Sequence, residues 1–280
     1  MREIAVNEIT SLVADMCIKS NCLLNEDIES AIKDGLTTET NPLAADILES
    51  ILKNAEIAKR DIVPICQDTG MAVFFLKLGQ EVHITNGNLY DAINSGVRKG
   101  YESGYLRKSV VSDPLRRKNT GDNTPAIIHT EIVPGDTLEI TIAPKGFGSE
   151  NMSAVKMLKP SDGLDGVIDF VTETVRKASG NPCPPIVVGV GIGGTMEKAA
   201  LLSKQALLRD IRECNPDEFY AQLEADLLEK INSLDIGPQG YGGRTTALGV
   251  NIETFPTHIA GLPVAVNISC HVTRHLTRTI

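Results

Sequence analysis

The sequence contains no tryptophan, few other aromatic residues and no long hydrophobic run. Phe, Trp and Tyr together make up 4% of the 280 residues, which leaves too few rings for a platform on which nucleic-acid bases could stack. No apolar run approaches the roughly 20 residues that a membrane-spanning helix requires. The first residues show no basic segment followed by an apolar one, so no secretory signal is expected. We therefore expect a cytoplasmic protein without a membrane partner.

Positive charge is also scarce. The 27 Lys and Arg residues are outnumbered by 36 Asp and Glu residues, so the formal net charge is −9. Binding to nucleic acid depends on basic surface that neutralises phosphates, and this composition argues against such a partner. Hydrophobic residues make up 42% of the chain, enough for a sizeable core. We expect one domain over residues 1–280, with two lobes between which the sequence marks no boundary.

The spacing of apolar residues predicts a mixed α/β fold of the α+β type, in which helices flank β-strands. Helical spacing recurs in these segments: 9–55, 89–97, 164–175, 198–214 and 217–234. Strand patterns occur in these segments: 71–76, 126–133, 137–143, 186–188, 245–253 and 262–268. The Pro-Gly-Asp turn at 134–136 predicts that the two strands around it form a hairpin. Asn88 is expected to cap the helix that follows it.

Three of the six cysteines lie in loops next to apolar strands: Cys66, Cys183 and Cys270. A lone cysteine is most often a small buried hydrophobe, so packing is one interpretation. If the three thiols converge, they suit an iron–sulfur cluster of four irons with one iron open, or, with His258 or His271, a structural zinc site. The other cysteines, at positions 17, 22 and 214, are expected to be structural thiols without disulfides.

Glycine-rich and basic segments are candidate anion sites. Residues 189–194 match G-x-G-x-x-G after a strand, but the following residues read as a helix where a dinucleotide site needs a second strand. A glycine-rich helix start that holds a substrate carboxylate is the preferred interpretation. Residues 101–126 concentrate arginine and lysine, which suits either a solvated loop or binding of carboxylates. Residues 145–151, KGFGSEN, suit a loop of N–H donors or a plain turn.

Five long segments carry a resemblance to a known family. They are CQDTG at 66–70, GYLRKSVVSDPLRRKNTGDNTPAIIH at 104–129, KGFGSEN at 145–151, NPCPPIVVGVGIGGT at 181–195 and PTHIAGLPVAVNISCH at 256–271. These segments resemble the α subunit of class I, iron–sulfur-dependent fumarate hydratase, a family that includes L(+)-tartrate dehydratase. The resemblance covers essentially the whole chain. It departs at Phe147, where the family usually carries a third glycine.

The resemblance implies a set of site residues. A [4Fe–4S] cluster with one open iron is expected on Cys66, Cys183 and Cys270. Substrate binding is expected at Gln67, Arg107, Gly148 and His258. Asp68 is expected to be the catalytic acid that protonates the leaving hydroxide, a role that suits a carboxyl group.

The resemblance also implies a hydro-lyase that hydrates fumarate reversibly to (S)-malate. The alternative within the family is dehydration of L(+)-tartrate to oxaloacetate, and the alternative from another class is a non-catalytic metal-binding protein. The family completes its active site with a second part that this sequence does not resemble. We therefore expect a separate β subunit, an α2β2 assembly and a C4 dicarboxylate substrate.

Overall fold

The computed structural model describes all residues, 1–280, and it confirms a mixed α/β fold. The α-helices are α1 Val6–Cys22, α2 Glu26–Thr38, α3 Pro42–Asp61, α4 Leu89–Ser103, α5 Phe147–Glu150, α6 Gly163–Ala178, α7 Met196–Ala206 and α8 Glu218–Asn232. The strands are β1 Arg2–Ala5, β2 Val73–Gly79, β3 Val82–Thr85, β4 Ile127–Val133, β5 Leu138–Ile142, β6 Ala154–Leu158, β7 Ile186–Gly193, β8 Ala247–Phe255, β9 Leu262–Ser269 and β10 Leu276–Thr279. None of the helices combines the length and hydrophobicity that crossing a membrane requires.

The chain divides into two compact units, and each has a sheet and a core of its own. The first unit consists of Met1–Leu24, Ala55–Gly146 and Arg274–Ile280. The second unit consists of Asn25–Asn54 and Phe147–Thr273. Each unit is described below by itself.

The sheet of the first unit has the order β10-β5-β2-β4, with β2 parallel to β4 and antiparallel to β5. The predicted hairpin of β4 and β5 is therefore wrong, because both strands flank β2 and do not pair with each other. Strand β2 lies between β5 and β4, and its Val73, Phe74 and Leu76 are buried. Pairing on both edges satisfies the backbone N–H and C=O groups of β2, as a central strand requires.

Two local predictions for the first unit are confirmed, the cap of α4 and the burial of two cysteines. The Asn88 side chain accepts hydrogen bonds from the backbone N–H groups of Tyr90 and Asp91, so the predicted cap of α4 is confirmed. Cys17 and Cys22 are buried, which confirms their predicted packing role. Burial raises the pKa of the Cys17 thiol, so this side chain stays protonated and acts as a small hydrophobe.

The sheet of the second unit has the order β6-β9-β7-β8, and every residue of β7 is buried. The glycines predicted to open a helix lie inside β7. A Cβ added at Gly189 would lie 2.1 Å from the carbonyl oxygen of Ser203, and one at Gly191 would lie 2.1 Å from that of Ala199. These glycines let α7 pack against the strand backbone. Packing therefore explains Gly189 and Gly191, whereas Gly194 lies between β7 and α7, and the carboxylate site at the start of this helix stays a prediction.

Candidate active site

The CQDTG loop of residues 66–70 connects α3 to β2 in the first unit. Cys66 and Asp68 are half-buried, Gln67 is exposed, and Thr69 is buried. Gly70 has a φ of +72°, and a Cβ at this position would lie 2.5 Å from the carbonyl oxygen of Lys145. Only glycine fits this turn, which directs the chain into β2.

Buried side chains hold the carbonyl groups of this loop. The Tyr101 hydroxyl donates to the carbonyl oxygens of Thr69 at 2.9 Å and Gly70 at 3.1 Å. The Asn123 side-chain amide also donates to Gly70, at 3.1 Å. Burial raises the pKa of the Tyr101 phenol, so it remains a neutral donor. Because Tyr101 and Asn123 are fully buried, these bonds do not compete with water.

Arg274 fixes the middle of the loop. Its Nη2 donates to the carbonyl oxygen of Asp68 at 2.9 Å. The side chain is buried, and its Nε has no hydrogen-bond partner. Burying a guanidinium costs free energy unless hydrogen bonds compensate for the lost water. The bond from Arg274 to the Asp68 carbonyl oxygen supplies such compensation and constrains the Asp68 backbone.

The polar side chains of the loop contact one another. The backbone N–H of Asp68 donates to Cys66 Sγ at 3.4 Å, and Cys66 Sγ lies 3.4 Å from Gln67 Oε1. Asp68 Oδ1 accepts from the backbone N–H of Gly70 at 3.0 Å. Asp68 Oδ2 faces Gly146, where an added Cβ would come within 3.2 Å. The carboxylate therefore has a defined orientation beside the thiol.

Arg107 is exposed, but its backbone is anchored to the same loop. The Thr69 hydroxyl donates to the Arg107 carbonyl oxygen at 3.0 Å. Asn123 Oδ1 accepts from the backbone N–H groups of Ser109 at 2.7 Å and Val110 at 3.3 Å. Thus Asn123 bonds both to the CQDTG loop and to the segment that follows Arg107. The side chain of Arg107 is therefore exposed to solvent, while its backbone is held by hydrogen bonds.

In the second unit, the loops of Cys183 and Cys270 lie side by side. Strand β7 is antiparallel to β9 with Val187 opposite Ser269, so the start of β7 meets the end of β9. His271 contacts the Cys183 carbonyl oxygen through its backbone N–H at 3.5 Å and its Nδ1 at 2.9 Å. A carbonyl oxygen only accepts, so the Nδ1 atom carries the hydrogen. Cys183 has a φ of +56°, which a stiff surrounding structure must maintain.

Gln239 supports the Cys183 loop from the second glycine-rich segment. Its backbone N–H and its side-chain Nε2 each donate to the Pro184 carbonyl oxygen at 2.8 Å. Nε2 also lies 3.2 Å from His271 Nδ1. A cavity of about 350 Å³ adjoins both side chains and is otherwise lined by α3, including Asp46.

Gly148 lies at the same end of the second unit's sheet. It belongs to the short helix α5 and is exposed, and a Cβ added there would lie 3.9 Å from the carbonyl oxygen of Asn181. Glu150 anchors this helix, since it accepts from Lys204 Nζ at 2.7 and 2.9 Å and from Asn267 Nδ2 at 3.1 Å. The structure therefore brings the glycine segment and the loops of two cysteines to one edge.

His258 lies elsewhere in the second unit. It is exposed on the loop between β8 and β9, and its Nδ1 accepts from the backbone N–H of Ala260 at 3.2 Å. It lines a largely apolar cavity of about 390 Å³ with Leu164 and Phe219. Strand β9 has 8 residues and separates His258 from Cys270, a length of about 26 Å. Within this unit, His258 is not brought to the cysteines.

The predicted site residues are divided between the units. Cys66, Gln67, Asp68 and Arg107 belong to the first unit, and Gly148, Cys183, His258 and Cys270 belong to the second. No group of three or more His, Cys, Asp or Glu side chains has a geometry that could hold a metal ion. The cluster ligands thus stay a prediction.

Comparison with known proteins identifies the family. A sequence model described as fumarate hydratase (fumerase) matches residues 10–279. A protein of Methanocaldococcus jannaschii, provisionally named L(+)-tartrate dehydratase subunit alpha, is 44% identical over 279 residues, 98% of this chain and 98% of that protein. The L(+)-tartrate dehydratase subunit alpha of Escherichia coli K12 is 34% identical over 269 residues, 95% of this chain and 88% of that protein. The chain belongs to the fumarate hydratase family.

Membership in the fumarate hydratase family confirms the resemblance drawn from the motifs, and it makes the chain a hydro-lyase. The structure adds residues that support this enzyme's site and that the sequence did not single out: Tyr101, Asn123, Glu150, Gln239 and Arg274. Most of their partners are distant in sequence, so no local pattern marks them. Asn123 and Glu150 lie inside the family segments and Arg274 lies beside one, and this was the available signal.

Proposed function

We propose that this chain is the α subunit of an iron–sulfur hydro-lyase that hydrates fumarate reversibly to (S)-malate. The observation that carries the proposal is the fumarate hydratase family match, which spans almost the whole chain. The CQDTG loop agrees with it, because an oriented carboxylate, a thiol and an exposed amide occur together there.

In this proposal Cys66, Cys183 and Cys270 hold a [4Fe–4S] cluster, and the support for it is the chemistry of their side chains. Thiolates are the ligands that such clusters use, and these thiols are exposed or half-buried. The N–H of Asp68 donates to Cys66 Sγ, an interaction that stabilises a thiolate ligand. When bound, a cluster with one open iron supplies a Lewis acid for the hydroxyl group of the substrate. Because thiolate ligands persist in a reducing compartment, we also propose a cytoplasmic location.

The chain's own residues then have distinct roles. Asp68 donates a proton to the leaving hydroxide, and its orientation is maintained by the Gly70 N–H. Arg107 pairs with a substrate carboxylate, for which a guanidinium offers two parallel donors. Gln67 and the backbone N–H of Gly148 contribute further hydrogen bonds to the substrate. Positioning of this kind lowers the entropic part of the barrier.

His258 is a further substrate ligand in the proposal. Because it lies at the far end of β9 from Cys270, its role requires a contact that the second unit alone does not supply. A His258→Ala variant that raises KM for the dicarboxylate would support the assignment, and unchanged kinetics would remove it.

A β subunit completes the site, and the assembly is α2β2. The names of the relatives support a partner, since both are alpha subunits. The group that removes the carbon-bound proton is expected on that partner. Purified alone, the chain should bind a cluster but hydrate fumarate poorly. High activity of this chain without a partner would contradict the two-subunit proposal.

Dehydration of L(+)-tartrate to oxaloacetate is the second candidate. The names of the two relatives, both L(+)-tartrate dehydratase subunits alpha, favour it. Tartrate differs from malate by one hydroxyl group, so the same carboxylate contacts serve both substrates. Anaerobic co-expression with the partner, followed by assays on fumarate and on L(+)-tartrate, separates the two.

Metal content tests the cofactor. Anaerobic purification should yield about four irons and four sulfides per chain. A Cys183→Ser variant should lose the cluster, whereas the matched Cys214→Ser variant, also at an exposed cysteine, should retain it. One zinc per chain would instead support a non-catalytic metal-binding protein. A Cys183→Ser variant with full iron content would remove Cys183 from the ligand set.

A further inference from the structure

The edge strand β4 of the first unit has features of a protein interface. It forms the end of the sheet and pairs with β2 along 7 residues without a register shift. No residue of β4 is buried, and Ile127 and Ile132 are 40% and 71% exposed. Natural edge strands usually carry charged residues, a proline or a bulge that prevents pairing, and β4 has no proline or bulge and a single charged residue, Glu131.

The ladder with β2 shows which backbone groups face outward. The N–H of Ile127 donates to Ala72, and the carbonyl oxygen of Val133 accepts from Gln80. In a parallel ladder, alternate residues bond to the same neighbour, so odd-numbered residues of β4 bond to β2. The even-numbered residues, Ile128, Thr130 and Ile132, therefore direct their N–H and C=O groups away from the sheet.

The sequence of β4 is complementary to itself. If a second copy of the strand is placed antiparallel with Thr130 opposite Thr130, then Ile128 faces Ile132 and His129 faces Glu131. Ile127 likewise faces Val133. The outward residues become the hydrogen-bonded pairs, as an antiparallel ladder requires. Apolar residues meet apolar residues, and an imidazole N–H meets a carboxylate.

From this geometry we infer that two copies of this chain pair through β4, antiparallel about a twofold axis at Thr130. The two 4-stranded sheets then form one continuous sheet with two β4 strands at its centre. A twofold interface of this kind is closed, so it gives a dimer and not a filament. The inference does not depend on the proposed reaction, because β4 carries none of the predicted site residues.

A charge exchange tests the pairing. Glu131→Lys removes the carboxylate that accepts from the imidazole N–H of His129 and places an ammonium group there. It should raise the dimer dissociation constant by about tenfold or more, measured by analytical ultracentrifugation. The double variant His129→Glu with Glu131→Lys restores opposite charges and should recover dimerisation. Val155→Lys, at a 47% exposed residue on the edge strand β6, is the matched control and should not weaken the dimer.

A symmetric cross-link tests the register. Thr130→Cys should form a disulfide between the two copies under mild oxidation, because paired antiparallel residues lie about 5.5 Å apart between Cα atoms. Peptide mass spectrometry should find the 130–130 linkage. A monomeric wild-type chain at tens of micromolar would overturn the inference. So would a dimer that Glu131→Lys leaves intact and in which residue 130 does not cross-link to itself.

Discussion

The CQDTG loop and the loops of Cys183 and Cys270 reach defined shapes by different means. In the first unit, the side chains of Tyr101, Asn123 and Arg274 bind backbone carbonyl groups of the loop in a buried setting. In the second unit, strand pairing brings the cysteine loops together, and half-exposed polar side chains add contacts. A loop that depends on buried donors should be sensitive to single substitutions. A loop that depends on a strand ladder should tolerate them better.

The largest effect is expected at Asn123. The substitution Asn123→Ala removes a fully buried amide and leaves the Gly70 carbonyl and the Val110 N–H without this partner. The free energy of unfolding should fall by about 2–4 kcal/mol, measured by urea denaturation. Asn119→Ala, at an exposed asparagine that makes a similar bond to a carbonyl, is the control and should cost less than about 1 kcal/mol. Equal costs would show that burial is not what stabilises the loop.

A somewhat smaller effect is expected at Arg274. The substitution Arg274→Ala removes the donor to the Asp68 carbonyl oxygen and should cost about 2 kcal/mol. Amide hydrogen exchange should accelerate within residues 66–70, because the loop loses a constraint. Arg278→Ala, at an exposed arginine on β10, should leave both measurements close to wild type. Unchanged exchange in Arg274→Ala would contradict its assigned role.

A substitution beside the loops of Cys183 and Cys270 should reduce stability less. The substitution His271→Ala removes the side-chain bond to the Cys183 carbonyl oxygen but leaves the pairing of β7 with β9. The cost in stability should be about 1 kcal/mol, while the cluster-free Cys183 thiol should react faster with a thiol reagent. A loss as large as that of Asn123→Ala would remove the contrast between the two regions.

The smallest expected effect concerns pH. Burial opposes ionisation of Asp122, but hydrogen bonds from Thr124 and Arg98 lower its pKa to about 2. A carboxyl group whose folded-state pKa is depressed stabilises the fold above its unfolded-state pKa, near 3.8, and this contribution disappears as pH falls toward about 2. Asp122→Asn should therefore show a flatter stability profile between about pH 4 and pH 2 in acid denaturation. An identical slope would assign the acid sensitivity to other carboxylates.

Local patterns predicted the helices other than the short α5, and the Asn88 cap, because periodicity and capping depend on neighbouring residues. The helix predicted to reach 214 ends at Ala206. The predicted β4–β5 hairpin was wrong because β2 lies between these two strands, and a local turn signal at 134–136 does not encode that distant pairing. The glycines at 189 and 191 were assigned to a helix start, because their close packing against α7 involves residues beyond the local pattern.

The motifs predicted the chemical groups of the candidate site, but they did not predict the residues that hydrogen-bond the loop carrying those groups. Cys66, Asp68 and Arg107 belong to recognisable segments. Arg274 contacts a residue 206 positions away, and Asn123 contacts one 53 positions away. Such contacts depend on tertiary structure, which periodicity and spacing do not report.

The rate of fumarate hydration by an Asp68→Asn variant tests the central claim most directly. The variant should be co-expressed anaerobically with the partner subunit and compared with the wild-type complex of equal iron content. We predict a loss of about 100-fold or more in kcat, because the carboxyl group that protonates the leaving hydroxide is absent. Wild-type turnover of both fumarate and L(+)-tartrate by this variant, with iron content unchanged, would contradict the role of the CQDTG loop.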